Sequence, residues 1–375
     1  MREYFLVFAV ALAMTFAATP PVRWLAIKIG AITPVRSRDV HTTPTPRLGG
    51  VAMLVGFLAA VGVGSQLPHL HCIIREDLIP CGTGAGGTEI RGIVLGAVIV
   101  TLVGAIDDVR ELDWLTKLAG QIIAAGAMAY FGVQLLSLPI LGVTVLPSPV
   151  LMALTVVIVI VSTNAVNFID GLDGLAAGIV AIAALAFFWY VYGLSFTYNP
   201  PNVFSTATFV SAATLGCALG FLPHNAHPAR LFMGDAGALL LGLLLAASAI
   251  TFVGNVDPTV EVRGNAQLAA YLPLVLPLAV MLVPLADMTW AVIRRVRRGQ
   301  SPWQPDSQHF QHRMIAIGHS HRGAVFVLYL WAAVIAFGAV GLAYVDGPWP
   351  PLLLLLAIVG MIWLTRRLPR QLGGR

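Results

Sequence analysis

Five short polar segments interrupt an otherwise apolar chain, and each carries side chains suited to phosphate, a divalent cation or a nucleoside. Gly104-Ala-Ile-Asp107-Asp108 sets two carboxylates at the foot of an apolar run. A helix C-terminus bears partial negative charge, so paired acids there call for a compensating cation, either a metal ion or the nearby Lys117. Glu111 and Asp113 are better placed to cap the helix that follows. In Asn164-Ala-Val-Asn167-Phe-Ile-Asp170-Gly171-Leu172-Asp173-Gly174, two amides and two acids recur every third residue. That spacing lines one face while the turn stays helical. Gly171 and Gly174 mark a break or a close approach to ligand.

The other three segments add phosphate and base chemistry. Asp235 and Gly234 open a helix, where an acid is locally stable and the glycine leaves room for a phosphate–metal cluster. Upstream, Asn225 offers an amide, and Phe232 offers a ring for stacking on a base or for anchoring at a membrane interface. In His41-Thr-Thr-Pro-Thr-Pro-Arg47-Leu-Gly-Gly50 the prolines hold the loop extended, and Gly49 and Gly50 permit close backbone approach. Arg47 presents a planar fork to phosphate oxygens or to a lipid headgroup. In the segment 294–322, His309 and His312 share a face if helical, and they lack a Cys or third partner for zinc. Hydrogen bonding to a phosphate or sugar suits them better, while His319 and His321 read as solvated. The basic run that precedes them doubles as an electrostatic membrane anchor.

The elements that position these residues must lie in lipid. The chain has 375 residues, of which 58% are hydrophobic and 10% charged, with a net charge of +5. Soluble domains carry about 25% charged residues, so a soluble enzyme, a disordered chain and a disulfide scaffold are all excluded. A span needs about 20 apolar residues. Eleven windows qualify: 3–19, 48–66, 91–106, 115–131, 148–165, 175–195, 206–223, 237–253, 268–293, 323–345 and 350–365. In lipid these are expected as helices, because each backbone polar group needs an internal partner. The expectation is an all-α polytopic membrane protein with about eleven transmembrane helices in a single domain, 1–375. Its polar segments are 20–47, 107–117, 164–174, 223–236 and 294–322. Basic residues orient it: with the N-terminus outside, 18 Lys and Arg fall on the cytoplasmic side and 4 outside. The C-terminus is then cytoplasmic. Residues 1–19 are read as a retained helix, since a cleaved signal peptide would put five basic residues of 20–47 on the wrong side. Cys72 and Cys81 share the external loop 67–90; a disulfide and two free thiols stand as equal readings.

Acids and amides from separate segments thus meet basic residues on one membrane face. Oxygen donors without soft ligands suit Mg²⁺ or Mn²⁺. Beside Arg and an aromatic ring they read as a nucleotide-diphosphate site, and the bilayer edge makes a lipid the second substrate. A secondary transporter is the rival from another class; its polar site would lie near the midplane rather than at one face.

The same residues resemble a bacterial member of the polyprenyl-phosphate N-acetylhexosamine-1-phosphate transferase superfamily. The matching pieces are His41 to Gly50, Asp107-Asp108, Lys117-Leu-Ala-Gly-Gln121, Asn164 to Leu175, and Phe232-Met-Gly-Asp235-Ala-Gly. Arg298 to His309 is similar to the WecA-like branch, which uses UDP-GlcNAc, rather than to the MraY branch. The resemblance implies that a polyprenyl phosphate, decaprenyl or undecaprenyl, attacks the β-phosphorus of UDP-GlcNAc and UMP leaves. It implies Mg²⁺ held by Asp235 and Asp108, with Asp107 deprotonating the lipid phosphate. Asp170 and Asp173 are expected among the catalytic acids, with His309 and His312 over the phosphates or sugar. Arg47, Lys117, Asn164, Asn167, Gly171, Leu172, Asn225 and Phe232 are expected to bind substrate. One departure stands out: His309-Phe-Gln311-His312 replaces the usual His-x-His-His, and Gln311 cannot be protonated. Another UDP-amino sugar, including UDP-MurNAc-pentapeptide, is therefore the alternative donor. The expected setting is the bacterial plasma membrane with a cytoplasmic active site and membrane lipids as neighbours. No nucleic acid is expected, and a homodimer is compatible with this reading.

Overall fold

A computed structural model describes residues 1–33, 44–74, 86–135, 138–139, 143–144, 147–198, 205–255, 282–299, 314–315, 318–345 and 347–372. The pair His309 and His312 and residue Gln311 lie outside the described residues, as does Cys81.

Helices dominate. They are α1 (Arg2–Ile29), α2 (Gly49–Gly64), the single turn α3 (His71–Ile74), α4 (Gly86–Arg110), α5 (Trp114–Tyr130), α6 (Ser148–Ile169), α7 (Leu175–Tyr198), α8 (Thr206–Asn225) and α9 (Gly234–Asn255). Beyond these come α10 (Leu282–Arg297), α11 (His321–Tyr344) and α12 (Trp349–Leu372). Two short antiparallel pairs, β1 (Ile32–Thr33) with β2 (Thr45–Pro46) and β3 (Leu138–Pro139) with β4 (Val143–Thr144), tie connections together. Each of the eleven apolar windows meets a helix over all or part of its length, and seven of these helices are long and apolar enough to cross a membrane. The protein is thus an all-α polytopic membrane protein.

The helices run further than the apolar windows, which relocates the polar segments. α1 continues through Pro20 and Pro21 to Ile29, so the first ten residues of 20–47 are helix rather than loop. Asp107 and Asp108 lie in the last turn of α4, Lys117 in the first turn of α5, and Asn164 and Asn167 in the last turns of α6. Asp235 opens α9. The chemistry therefore sits on helix ends, where side chains are held more firmly than on loops.

α9 forms the centre and packs on α2, α4, α6 and α8. It is apolar all round because it is enclosed all round. Buried hydroxyls in these helices stay satisfied by bonding the carbonyl one turn back, as Thr101 does to Ala97, Thr214 to Val210 and Thr251 to Ala247. Small residues let the helices approach. Ser162 Oγ on α6 donates to the Gly242 carbonyl of α9 at 2.6 Å, and Gly216 and Gly220 on α8 abut the backbone of α1.

Candidate active site

Four helix ends, those of α2, α4, α5 and α6, meet at the start of α9. Its first turn would leave N–H groups unpaired, as every helix does. The Asp108 carboxylate takes two of them: Oδ1 accepts from Asp235 N at 3.0 Å and Oδ2 from Ala236 N at 3.3 Å. The last turn of α4 thus caps a helix 127 residues later in the chain. Gly104, one turn earlier on α4, is pressed against the Ala236 backbone. The start of α2 joins the same junction. Gly49 N and Gly50 N donate to the carbonyls of Phe232 and Met233, both at 3.0 Å, and Phe232 N donates to Pro46 O at 2.9 Å. A Cβ at Gly50 would drive into the backbone of Ala236 and Gly237. The close backbone approach expected at Gly49 and Gly50 is made, and what approaches is the start of α9 and the two residues before it.

Gly234 departs from its expectation. It adopts φ +66°, a left-handed conformation that suits glycine. A Cβ there would overlap the Asp108 carboxylate. The room expected for a phosphate–metal cluster is filled by that side chain.

Lys117 completes the cluster. Its Nζ lies 3.1 Å from Asp107 Oδ2 and forms an ion pair with Asp235 Oδ2. Asp107 Oδ1 accepts from Leu112 N at 2.7 Å, which closes the turn between α4 and α5. Asp113 caps α5, accepting from Leu115 N and Thr116 N at 3.0 Å. The Thr116 hydroxyl also donates to Asp113 Oδ2, and it, with those backbone hydrogen bonds, holds the Asp113 carboxyl below the usual range. Asn167 Nδ2 donates to Asp235 Oδ1 at 2.9 Å, and Asn164 Nδ2 donates to Gln121 Oε1 at 2.7 Å. Gln121, which belongs to the Lys117 motif, is buried and so joins α5 to α6.

Asp170 ends α6. Loss of surrounding water, helped by the nearby Asp108 charge and opposed by Arg47, pushes its carboxyl up to about 7. The folded chain thus keeps this proton at a pH where the unfolded chain, with a value near 3.8, releases it. Its contribution to stability is complete below about pH 4 and fades as pH rises through 7. The melting temperature should therefore contain a downward component between those values that Asp170→Asn removes; superimposable pH profiles for the two proteins would refute it.

Asp173 does not join Asp235. Its Oδ2 lies 2.7 Å from His227 Nδ1, accepts from Ala229 N at 3.1 Å and stands 4.0 Å from His321 Nε2. The rings of His227 and His321 stack with centroids 4.1 Å apart. Arg322 donates to the His227 carbonyl, and Tyr329 Oη donates to the Gly174 carbonyl at 2.5 Å. The start of α11 therefore grips both the 170–174 turn and the loop after α8. His321 and His319 are not solvated as expected: the His321 side chain is 9% exposed, and buried His319 meets the Thr365 carbonyl at 3.2 Å. Their signal in the sequence was only their proximity to a helix start. Asn225 spends its amide on scaffold, with Oδ1 accepting from Gly174 N at 3.0 Å and Nδ2 donating to Leu231 O at 3.1 Å. Leu172 is buried, Gly171 and the Phe232 side chain half-buried. Cys217 is a free buried thiol, and Cys72 is disulfide-bonded.

The side-chain oxygen donors described around Asp235 are the carboxylates of Asp107, Asp108 and Asp235 and the amide of Asn167. A lysine ammonium already bridges two of those carboxylates, so the cradle accepts a cation. This donor set fits Mg²⁺ or Mn²⁺.

Residues 90–292 match the family model described as glycosyl transferase family 4. Over 371 residues the chain is 42% identical to a decaprenyl-phosphate N-acetylglucosaminephosphotransferase of Mycolicibacterium smegmatis, an alignment covering 97% of this chain and 88% of that protein. It is 31% identical over 337 residues to a probable undecaprenyl-phosphate N-acetylglucosaminyl 1-phosphate transferase of Bacillus subtilis, covering 89% of this chain and 83% of the other. A phospho-N-acetylmuramoyl-pentapeptide-transferase of Desulforudis audaxviator is 34% identical over 235 residues, covering 57% and 64%. With acids, amide and lysine gathered at one set of helix ends, and with likeness along nearly its whole length, the chain belongs to glycosyl transferase family 4, among the polyprenyl-phosphate N-acetylhexosamine-1-phosphate transferases.

Proposed function

We propose that this chain transfers GlcNAc-1-phosphate from UDP-GlcNAc to a polyprenyl phosphate, giving polyprenyl-diphosphate-GlcNAc and UMP. The observation that carries this is the meeting of Asp107, Lys117, Asn167 and Asp235 at helix ends. It occurs in a chain 42% identical to a protein named for GlcNAc phosphate transfer to decaprenyl phosphate. An oxygen of the lipid phosphate attacks the β-phosphorus, a new P–O bond forms, and the bond to the UMP oxygen breaks. Single displacement suffices, since a lipid phosphate is already ionised near neutral pH. Asp235 and Asp108 would hold Mg²⁺, or Mn²⁺, which would neutralise diphosphate charge. Asp108 also fixes the start of α9, so Asp235 is presented at a set position. Asn167 orients Asp235 from α6. Asp107 is assigned to the lipid phosphate, with Arg47, Lys117 and Phe232 on the donor side. Asp173 is reassigned from catalysis to holding the loop after α8, through His227.

The distribution of basic residues supports eleven spans with the N-terminus outside and the active site on the cytoplasmic face of a bacterial plasma membrane. Another UDP-amino sugar is the second reading, favoured by Gln311 in place of the middle histidine. Purified protein should release UMP from UDP-GlcNAc only when polyprenyl phosphate and Mg²⁺ are both present. A panel of UDP-sugars separates the two readings, and no UMP from any sugar refutes both. EDTA should stop release and Mg²⁺ restore it; full activity in excess EDTA would remove the metal from the reaction.

A further inference from the structure

We propose that Lys117 is a built-in counter-cation that occupies the carboxylate cluster until a divalent ion displaces it, and so sets the affinity of the site for that ion. This rests on the reading above in which Asp235 holds the metal.

One ammonium joins acids from two different helices, Asp107 on α4 and Asp235 on α9. The remaining oxygens are committed elsewhere: Asp107 Oδ1 to Leu112 N, Asp235 Oδ1 to Asn167. The Lys117 backbone is fixed in the first turn of α5, donating to the Asp113 carbonyl at 3.2 Å. Its stem therefore reaches the cluster from a rigid base, and only the end of the side chain needs to move. The side chains of Lys117, Asp107 and Asp235 are 23%, 14% and 19% exposed, so solvent screens their charges only in part.

The choice of residue supports the same conclusion. Among 22 basic residues only Lys28 and Lys117 are lysines. Lys28 lies over the Trp24 ring at the far end of α1, leaving Lys117 as the lysine of the site. Arginine would grip a carboxylate with two parallel bonds and a spread charge, whereas an ammonium is a compact point charge on a flexible stem. A compact, movable cation can yield its place to a divalent ion, because both compete for Asp235 Oδ2 and repel one another. Once displaced, the ammonium stays beside the cluster as a donor to anionic oxygens. Without it, Asp107 and Asp235 would face one another with no ammonium between them in the metal-free protein.

The test uses the full chain in detergent without nucleotide. Mn²⁺ binding is read by electron paramagnetic resonance, and the lysines are labelled by reductive ¹³C-methylation, which keeps their charge. Lys117→Met should bind Mn²⁺ about tenfold tighter or more, and Lys117→Arg more weakly than native, because a guanidinium yields the carboxylates less readily. In native protein the Lys117 methyl signal, identified by its loss in Lys117→Arg, should shift on Mg²⁺ addition while Lys28 does not. Unchanged or weaker Mn²⁺ binding by a folded Lys117→Met overturns the proposal. So does a Lys117 signal unmoved at saturating Mg²⁺, a measurement that needs no variant at the site to fold. Asp235→Asn separates the two levels of the argument. Native Mn²⁺ affinity in that variant removes the metal reading itself, whereas its loss together with an unaltered Lys117→Met removes only the displacement.

Discussion

Asp235→Asn should lower UMP release from UDP-GlcNAc by on the order of 10²–10³-fold while leaving the fold intact. The substitution is nearly isosteric. The amide oxygen of an Asn can still accept from Asn167 Nδ2, and the backbone N–H still donates to Asp108 Oδ1. What disappears is one negative charge. That charge is the partner of Lys117 and, in the proposed reaction, the main ligand of a divalent cation. A neutral amide oxygen binds Mg²⁺ far less well than a carboxylate in a site of few protein ligands. Thermal unfolding close to native combined with collapsed turnover is the expected pair of results. Ordinary turnover at ordinary Mg²⁺ would show that Asp235 is not the metal ligand, and the proposed chemistry would need another centre.

The architecture could be read from the chain because lipid leaves few choices. A run of apolar residues long enough to span must be helical, and every such window meets a helix. The ends were harder. Hydropathy falls where polar residues begin, yet α1 passes through Pro20 and Pro21, and α4 carries Asp107 and Asp108 within its last turn. Backbone hydrogen bonding continues past the lipid boundary, and composition does not mark where it stops.

Side-chain partners were legible only when they lay along one helix or across one turn. The need for a cation near Asp107 followed from helix electrostatics, and Lys117 supplies it ten positions on. The three-residue stripe from Asn164 to Asp173 misled for a definite reason. Asp170 ends α6 with ψ 59°, so helical spacing no longer predicts a shared face beyond it. Asn167 turns to Asp235, while Asp173 turns to His227 and His321. These last two come from segments 54 and 148 residues further along the chain, and no local pattern joins them. Asp108 is the same case: a carboxylate at a helix C-terminus looked electrostatically misplaced until the N-terminus of α9 arrived against it.

Gly234→Ala is the substitution that should reveal how closely catalysis depends on that arrival. One methyl group is added, no charge changes, and no expected ligand is removed. The backbone at Gly234 has φ +66°, where an alanine costs on the order of 1 kcal/mol or more. The added Cβ would also overlap both oxygens of the Asp108 carboxylate. Two responses are open. Asp108 can rotate away, which strands Asp235 N and Ala236 N at a junction buried among α2, α4 and α9. Alternatively the start of α9 can shift, but Gly50 and Gly104 hold it against two other backbones with no slack. Either response moves Asp235 relative to Lys117 and Asn167. Turnover should therefore fall by on the order of 10²-fold, since a displacement near 1 Å is enough to cost that much. The melting temperature should fall as well. Asp108→Gly in the same chain should recover part of the stability by removing the overlap, but not the turnover, because the cap is lost with it. A Gly234→Ala protein with native turnover would mean that α9 need not be seated on Asp108 for the site to work.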